Sequence, residues 1–255
     1  MNFDLDMLLL VGAAFLAGLV DAVVGGGGLV LIPALFMNLP EVAPATILGT
    51  NKFAAIFGTA SAARRYALRI AVPWRAALPT AIAAFFFSYV GAMSVALMPK
   101  DYLRPLVLVM LVAVAVYTFA RKDFGTVDRS RPHQTLDYWW AVLLGAAIGF
   151  YDGFFGPGAG SFLLFLFIRF FGFDFLHASA AAKIVNVATN GAALLYFGAT
   201  GHVLWRIAIL LALFNIAGAL LGSRLALRHG SGFVRKVFLG VATALIGKFG
   251  YDTFA

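Results

Sequence analysis

The chain has no cysteine. That excludes disulfides, thiol nucleophiles and thiolate metal sites. Only four histidines occur (His133, His177, His202 and His229), scattered among expected loops, so no metal centre is expected. Charged residues make up 12% of the chain, about half the roughly 25% of an ordinary soluble domain. No G-x-x-x-x-G-K-[ST] loop is present and no G-x-G-x-x-G fingerprint is completed, so neither ATP drive nor a nucleotide cofactor is supported. The first residues, MNFDLDM, are acidic where a signal peptide is basic, which argues against cleavage.

What the chain has is hydrocarbon. Hydrophobic residues reach 62% and mean hydropathy is +0.94. Apolar stretches recur at 45–63, 78–98, 103–120, 178–197 and 207–227, with a shorter one near 237–247. Each approaches the roughly 20 residues that cross a bilayer as a helix. The expected fold class is an all-α polytopic membrane protein whose first partner is the lipid bilayer. The net charge of +8 is no nucleic-acid footprint, because Lys and Arg cluster between the apolar runs as they do in cytoplasmic loops.

Sliding the sequence along itself by 131 residues brings Asp21 onto Asp152, Gly25 onto Gly156 and Lys52 onto Lys183. The same shift matches Trp74-Arg75 with Trp205-Arg206, and Arg104 with Arg235. Only six Lys and four Trp are present, so coincidence at one offset is informative where Ala or Val matches are not. The expected organisation is a first transmembrane repeat (1–120), a cytoplasmic linker (121–137) and a second repeat (138–255). Each repeat has a glycine-broken apolar segment, 8–36 or 139–168, followed by three continuous ones. The paired Trp-Arg steps read as anchors at the bilayer interface.

If the broken segments are re-entrant hairpins, each half crosses three times and the second half is inverted. If they cross, each half crosses four times and the halves run parallel. The positive-inside rule separates the two. With Lys52 and Lys183 set aside, the re-entrant arrangement puts 13 of 17 basic residues inside, in 64–75, 121–137, 169–177 and 224–236. The parallel one puts 10 inside. The expectation is an inverted repeat.

Broken backbone at membrane depth is tolerated only inside protein or along a watered cavity. Glycine-interrupted segments at equivalent places in two repeats point to a transport site. The arms after the breaks, 29–36 and 161–168, would present unpaired N-terminal amides, and a helix N-terminus carries roughly half a positive charge. The expected anion-binding residues are therefore Gly25, Gly26, Gly27 and Gly28, with Gly156, Gly158, Gly160 and Ser161. Lys52 and Lys183 lie in the next apolar segment, where an ionised side chain needs a partner. Lys183, Asn186 and Asn190 share one helix face, while Asn51 and Thr59 flank Lys52 less regularly. These amines and amides are read as anion ligands. Asp21 and Asp152 are read as carriers of a coupled proton. The alternative makes Lys–Asp pairs structural and the Asn residues interhelical glue.

The stretches GLVDAVVGGGGLVLIPAL and GFYDGFFGPGAGSFL resemble the TauE/SafE family of sulfite exporters, and within it the YfcA-like branch. The resemblance covers essentially the whole chain. It implies a multi-pass transporter of the bacterial inner membrane that moves sulfite, sulfonates or related small organic anions, often outward. The second copy reads GPGAG and has no proline matching Pro33, so the two sites need not bind alike. Two other functions match parts of the sequence. An intramembrane aspartyl protease could use Asp21 with Tyr151-Asp152, but the GxGD partner motif is missing, and nearby lysines oppose a shared proton. A non-catalytic assembly or lipid-handling protein is the other. Nothing in the sequence speaks to oligomeric state.

Overall fold

A computed structural model describes residues 3–95 and 135–254, which form eight helices and no strand among the described residues. The apolar segment 103–120, Arg104 and residues 121–134 of the linker lie outside the described residues. The helices are α1 (Phe3–Val24), α2 (Gly28–Asn38), α3 (Pro44–Ala67), α4 (Trp74–Ser94), α5 (Thr135–Phe154), α6 (Ala159–Phe171), α7 (Phe175–Ala199) and α8 (Trp205–Phe254). Gly28 and Ala159, Pro44 and Phe175, and Trp74 and Trp205 begin equivalent helices, each pair 131 residues apart. The apolar stretches expected at 207–227 and near 237–247 join in α8 through a non-helical Gly230.

Local chemistry sets several of these boundaries. Pro44 occupies the first turn of α3, where its missing N–H leaves no bond unmade. Asp174 caps α7 by accepting the His177 amide at 2.8 Å. Gly172 ends α6 with a left-handed φ of 76°.

α1 and α2 pack together although only three residues join them, so they fold as an antiparallel hairpin. Leu10, Ala14 and Ala17 of α1 share an apolar cluster with Leu31 and Leu35 of α2. α5 and α6 form the equivalent hairpin. Trp140 packs against Phe170 with tilted rings 4.8 Å apart between centroids, and near the tip Tyr151 meets Phe162 at 5.7 Å. The return arms have 11 and 13 residues, about 16–20 Å of helix, and are too short to cross a hydrocarbon core of about 30 Å.

Helix directions follow from residue pairs. α8 runs parallel to α3, with Leu204 bonded to Thr50 near one end and Ala219 clustered with Ala62 near the other. α8 also runs parallel to α1, since Gly218 abuts Phe15 and Gly222 abuts Leu19. α4 runs parallel to α5, with Gly145, Gly149 and Gly153 seated against the backbone of Thr80, Ala84 and Ser88. Small residues permit these close approaches, as in membrane helix pairs. α3 and its equivalent α7 are antiparallel, because Gly49 lies against Phe197 while Ile56 meets Gly191.

The surface is inverted relative to that of a soluble protein. Leu78, Ile82, Phe86, Val90, Leu143, Ile209 and Leu213 are exposed, while Lys52, Lys183, Asp152 and Asn186 are buried. Among the described residues, Asp6–Val24, Trp74–Ser94 and Trp205–Val241 are long and apolar enough to cross a membrane. α3 and α7 have the length, at 24 and 25 residues, but they carry the buried polar groups.

Candidate functional site

The two hairpin tips meet. A Cβ on Gly25 would lie 2.5 Å from the Gly160 carbonyl carbon, and one on Gly28 would lie 3.5 Å from Pro157. Gly25 and its equivalent Gly156 adopt φ of 70° and 94°, conformations that disfavour any residue with a Cβ. Ser161 seals the junction, donating its hydroxyl to the Val24 and Gly25 carbonyls.

Reversing the chain at each tip leaves backbone donors unused. The amides of Gly27 and Gly28, and of Gly158, Gly160 and Ser161, have no acceptor among the described residues. Their helices begin here, so their dipoles add positive potential at the same place.

Two ion pairs flank the tips, and each crosses between the halves. Lys52 on α3 holds Asp152 on α5, with Nζ 2.8 Å from Oδ1 and both side chains buried. Lys183 on α7 lies 3.5 Å from Oδ2 of Asp21 on α1, and also donates to the Asp21 main-chain carbonyl. The pairs occupy equivalent positions but differ in saturation. Asp21 accepts from Thr59 at 3.0 Å and from the Gly26 amide at 3.3 Å besides facing Lys183. Asp152 Oδ2 is buried without a partner among the described residues, as are Asn51 Oδ1 and Asn186 Oδ1. Buried polar atoms are seldom left so, and where they are, water, a proton or a ligand commonly completes them.

A cavity opens where these groups converge. Asp21, Asn51, Lys52, Asp152, Asn186 and Asn190 line it, along with Gly26, Gly27, Gly28, Gly156, Gly158 and Gly160. Three residues expected at the site do not line it. Gly25 and Ser161 are spent on the tip-to-tip junction, and Lys183 is held by Asp21. The cavity adds Thr59, singled out in the sequence only as a neighbour of Lys52, and Ala17, Ala55 and Asn215. Asn215 is an amide within the apolar run LLALFNIAGALL, a signal the sequence carried. Its Nδ2 donates to the Ala14 carbonyl at 3.1 Å. Free volume is about 30 Å³, room for about two waters. No group of three or more metal-ligating side chains occurs among the described residues.

Trp74 and Trp205, the paired Trp-Arg steps, start α4 and α8 and are about half exposed.

Comparison with known proteins matches residues 10–249 to the family described as Sulfite exporter TauE/SafE. The chain is 36% identical over 233 residues to a probable membrane transporter protein, ORF9, of a Sinorhizobium species, covering 91% of this chain and 88% of the other. It is 35% identical over 240 residues to the probable membrane transporter protein YfcA of Escherichia coli K12, covering 94% and 88%. A probable membrane transporter protein of Haemophilus influenzae is 32% identical over 254 residues, covering 99% and 98%. No solved structure matches the chain.

Proposed function

The chain belongs to the sulfite exporter TauE/SafE family, and from that premise we propose that it carries a small oxyanion through the cavity at the crossed ion pairs. It is a multi-pass membrane transporter, not an enzyme. The substrate class in this reading is sulfite, a sulfonate or a related organic acid, moved outward across the bacterial inner membrane.

The observation that carries the reading is the unequal pair Lys52–Asp152. Two lysines and two aspartates leave the site formally neutral, so an anion gains full attraction only when one carboxylate is neutralised. Asp152 has a free oxygen to receive a proton, whereas Asp21 is saturated by Thr59, Gly26 and Lys183. A proton on Asp152 Oδ2 weakens its hold on Lys52 and leaves one net positive charge facing the amides of Gly27, Gly28, Gly158 and Gly160. An oxyanion then takes the place of the Asp152 carboxylate on the ammonium, and proton and anion binding are linked. This division assigns coupling to Asp152 and a structural role to Asp21. A dianion carried with one proton still moves one negative charge. An inside-negative potential favours its exit by about 2.3 kcal/mol per 100 mV.

Space for about two waters does not hold a solvated oxyanion, so transport requires the hairpin tips to part from α3 and α7. Opening to alternate faces suits two hairpins entering from opposite sides. The antiparallel α3 and α7, and the two folded-back hairpins, support an inverted repeat with re-entrant segments. One end gathers Arg64 and Arg65 in the last turn of α3 and Arg69 just after it, Arg75 at the start of α4, Arg169 in the last turn of α6, and Arg224 and Arg228 of α8. That end is the cytoplasmic one by the positive-inside rule. Each aspartate faces a lysine rather than the other aspartate, which also disfavours a protease dyad.

The test is ligand-induced thermal stabilisation of the purified chain by sulfite, short sulfonates and carboxylates, read at two pH values. Stabilisation by at least one oxyanion, stronger at the lower pH, is expected. Equal response at both pH values removes the proton link, and no response to any removes the oxyanion class.

A further inference from the structure

Beyond the buried cavity, α3 and α8 continue side by side toward the basic end of the molecule. Arg64, Arg65 and Arg69 from α3 and the turn after it, and Arg224 and Arg228 from α8, line an open cleft of about 750 Å³ there. Ser61, Arg64 and Arg65 on α3 and its C-cap residue Leu68 repeat at helical spacing, and Leu220, Arg224, Leu227 and Arg228 do so on α8, so two helix faces converge on the cleft. Four of the five arginines are exposed and Arg65 is half-buried. None of the five has a carboxylate within salt-bridge distance among the described residues. Five guanidinium groups around one space repel one another, and an anion between them relieves that repulsion. Arginine's planar fork of donors suits oxygen pairs on one centre.

The cleft is also in line with the cavity. Thr59 and Asn215 line the cavity, and the next turns of the same two helices, at Arg64 and at Leu220 to Arg224, line the cleft. At 1.5 Å per residue, about 7 Å separates Thr59 from Arg64 along α3. A positive cleft at the mouth of a low-dielectric passage concentrates anions ahead of it.

We propose that the arginine cleft between α3 and α8 is a second oxyanion-binding site, the mouth from which anions reach the buried cavity. Its role as a mouth rests on the transport reading above, whereas its occupancy by an oxyanion does not. The ligand is a dissolved anion rather than a lipid phosphate, because the cleft leads inward along the lining helices.

The test is binding of radiolabelled inorganic sulfate to the full-length protein in nanodiscs of neutral lipid. It compares wild type, Arg64→Gln/Arg228→Gln and Lys52→Met. The double variant is expected to lose a salt-sensitive component, its affinity falling about tenfold or more. Lys52→Met should keep that component. Unchanged sulfate binding in Arg64→Gln/Arg228→Gln would overturn the site. Loss of binding in Lys52→Met that is not restored in Lys52→Met/Asp152→Asn, which leaves no orphan charge, would place the sulfate in the buried cavity and overturn it equally. Repetition in discs containing phosphatidylglycerol separates the ligand sources. Wild-type binding that persists supports a dissolved anion, and binding abolished by the anionic lipid assigns the cleft to headgroups and overturns its role as a mouth.

Discussion

Lys52 of α3 reaches across the molecule to Asp152 of α5, Nζ to Oδ1 at 2.8 Å, and both are sealed from solvent. Removing one member of a buried pair strands the other, at a cost of about 3–5 kcal/mol, whereas removing both leaves no orphan charge. Lys52→Met is therefore expected to lower thermal stability in detergent markedly. Lys52→Met/Asp152→Asn should regain much of the loss. A double variant no more stable than the single would show that the pair adds nothing beyond packing.

The tips rest on Gly25, where two demands coincide. A side chain there meets both an unfavourable φ of 70° and the Gly160 backbone at 2.5 Å. Gly201 shares the unfavourable φ, at 77°, but has nothing within 4 Å of an added Cβ. Gly201→Ala should therefore cost about 1–2 kcal/mol, the left-handed penalty alone. Gly25→Ala should cost several kcal/mol more, read as a lower unfolding midpoint or lost expression. Equal effects would mean that the tips do not touch as described.

Asp174 links pH to the helix that carries Lys183, Asn186 and Asn190. Partial burial pushes its carboxyl up, but bonds from the His177 ring and amide outweigh that and hold it below its ordinary value. A depressed folded value gives stability that is present above the unfolded carboxyl value of about 4 and lost as pH falls through the folded one. Asp174→Ala should cost about 1 kcal/mol at neutral pH, the usual worth of such a cap. The difference from wild type should shrink on acidification. A gap constant with pH would exclude the carboxylate as its source.

A chain without cysteine is a clean background for single-cysteine labelling. Ala199→Cys lies at the end of α7 and His229→Cys near the break in α8, at opposite ends of the parallel and antiparallel set; both positions are exposed. An impermeant thiol reagent added to intact inside-out vesicles should modify position 229 and spare 199, and right-side-out vesicles should reverse this. Labelling of both from one side would contradict the inverted arrangement.

Much of this was legible in the residues. The 131-residue offset located both broken helices, both lysines and both aspartates, because rare residues on a hydrocarbon background stand out. Offset alone does not say which lysine meets which aspartate. The exchange depends on α1 packing against α8 and α4 against α5, contacts set by glycine and alanine faces that look alike in an apolar sequence. The inequality of the two pairs was equally hidden. It arises because Thr59 reaches Asp21, whereas its equivalent in the second half, Asn190, makes no bond to Asp152 Oδ2, which has no partner among the described residues. Ser161 looked like a ligand because it follows GPGAG, yet its hydroxyl is turned to the opposite hairpin. Asn215 sits in a segment with no glycine motif, and its place in the cavity depends on distant Gly58 and Ala14.

The central claim is that an oxyanion replaces Asp152 on Lys52 after that aspartate takes a proton. Its most direct test is uptake of radiolabelled sulfite into proteoliposomes across a pH series, comparing wild type with Asp152→Asn and Asp21→Asn. Asp152→Asn mimics the protonated state, so any sulfite uptake it retains is expected to be nearly independent of pH. Asp21→Asn should keep the wild-type pH profile at reduced stability. Wild-type pH dependence in Asp152→Asn, or its loss in Asp21→Asn alone, would contradict the account.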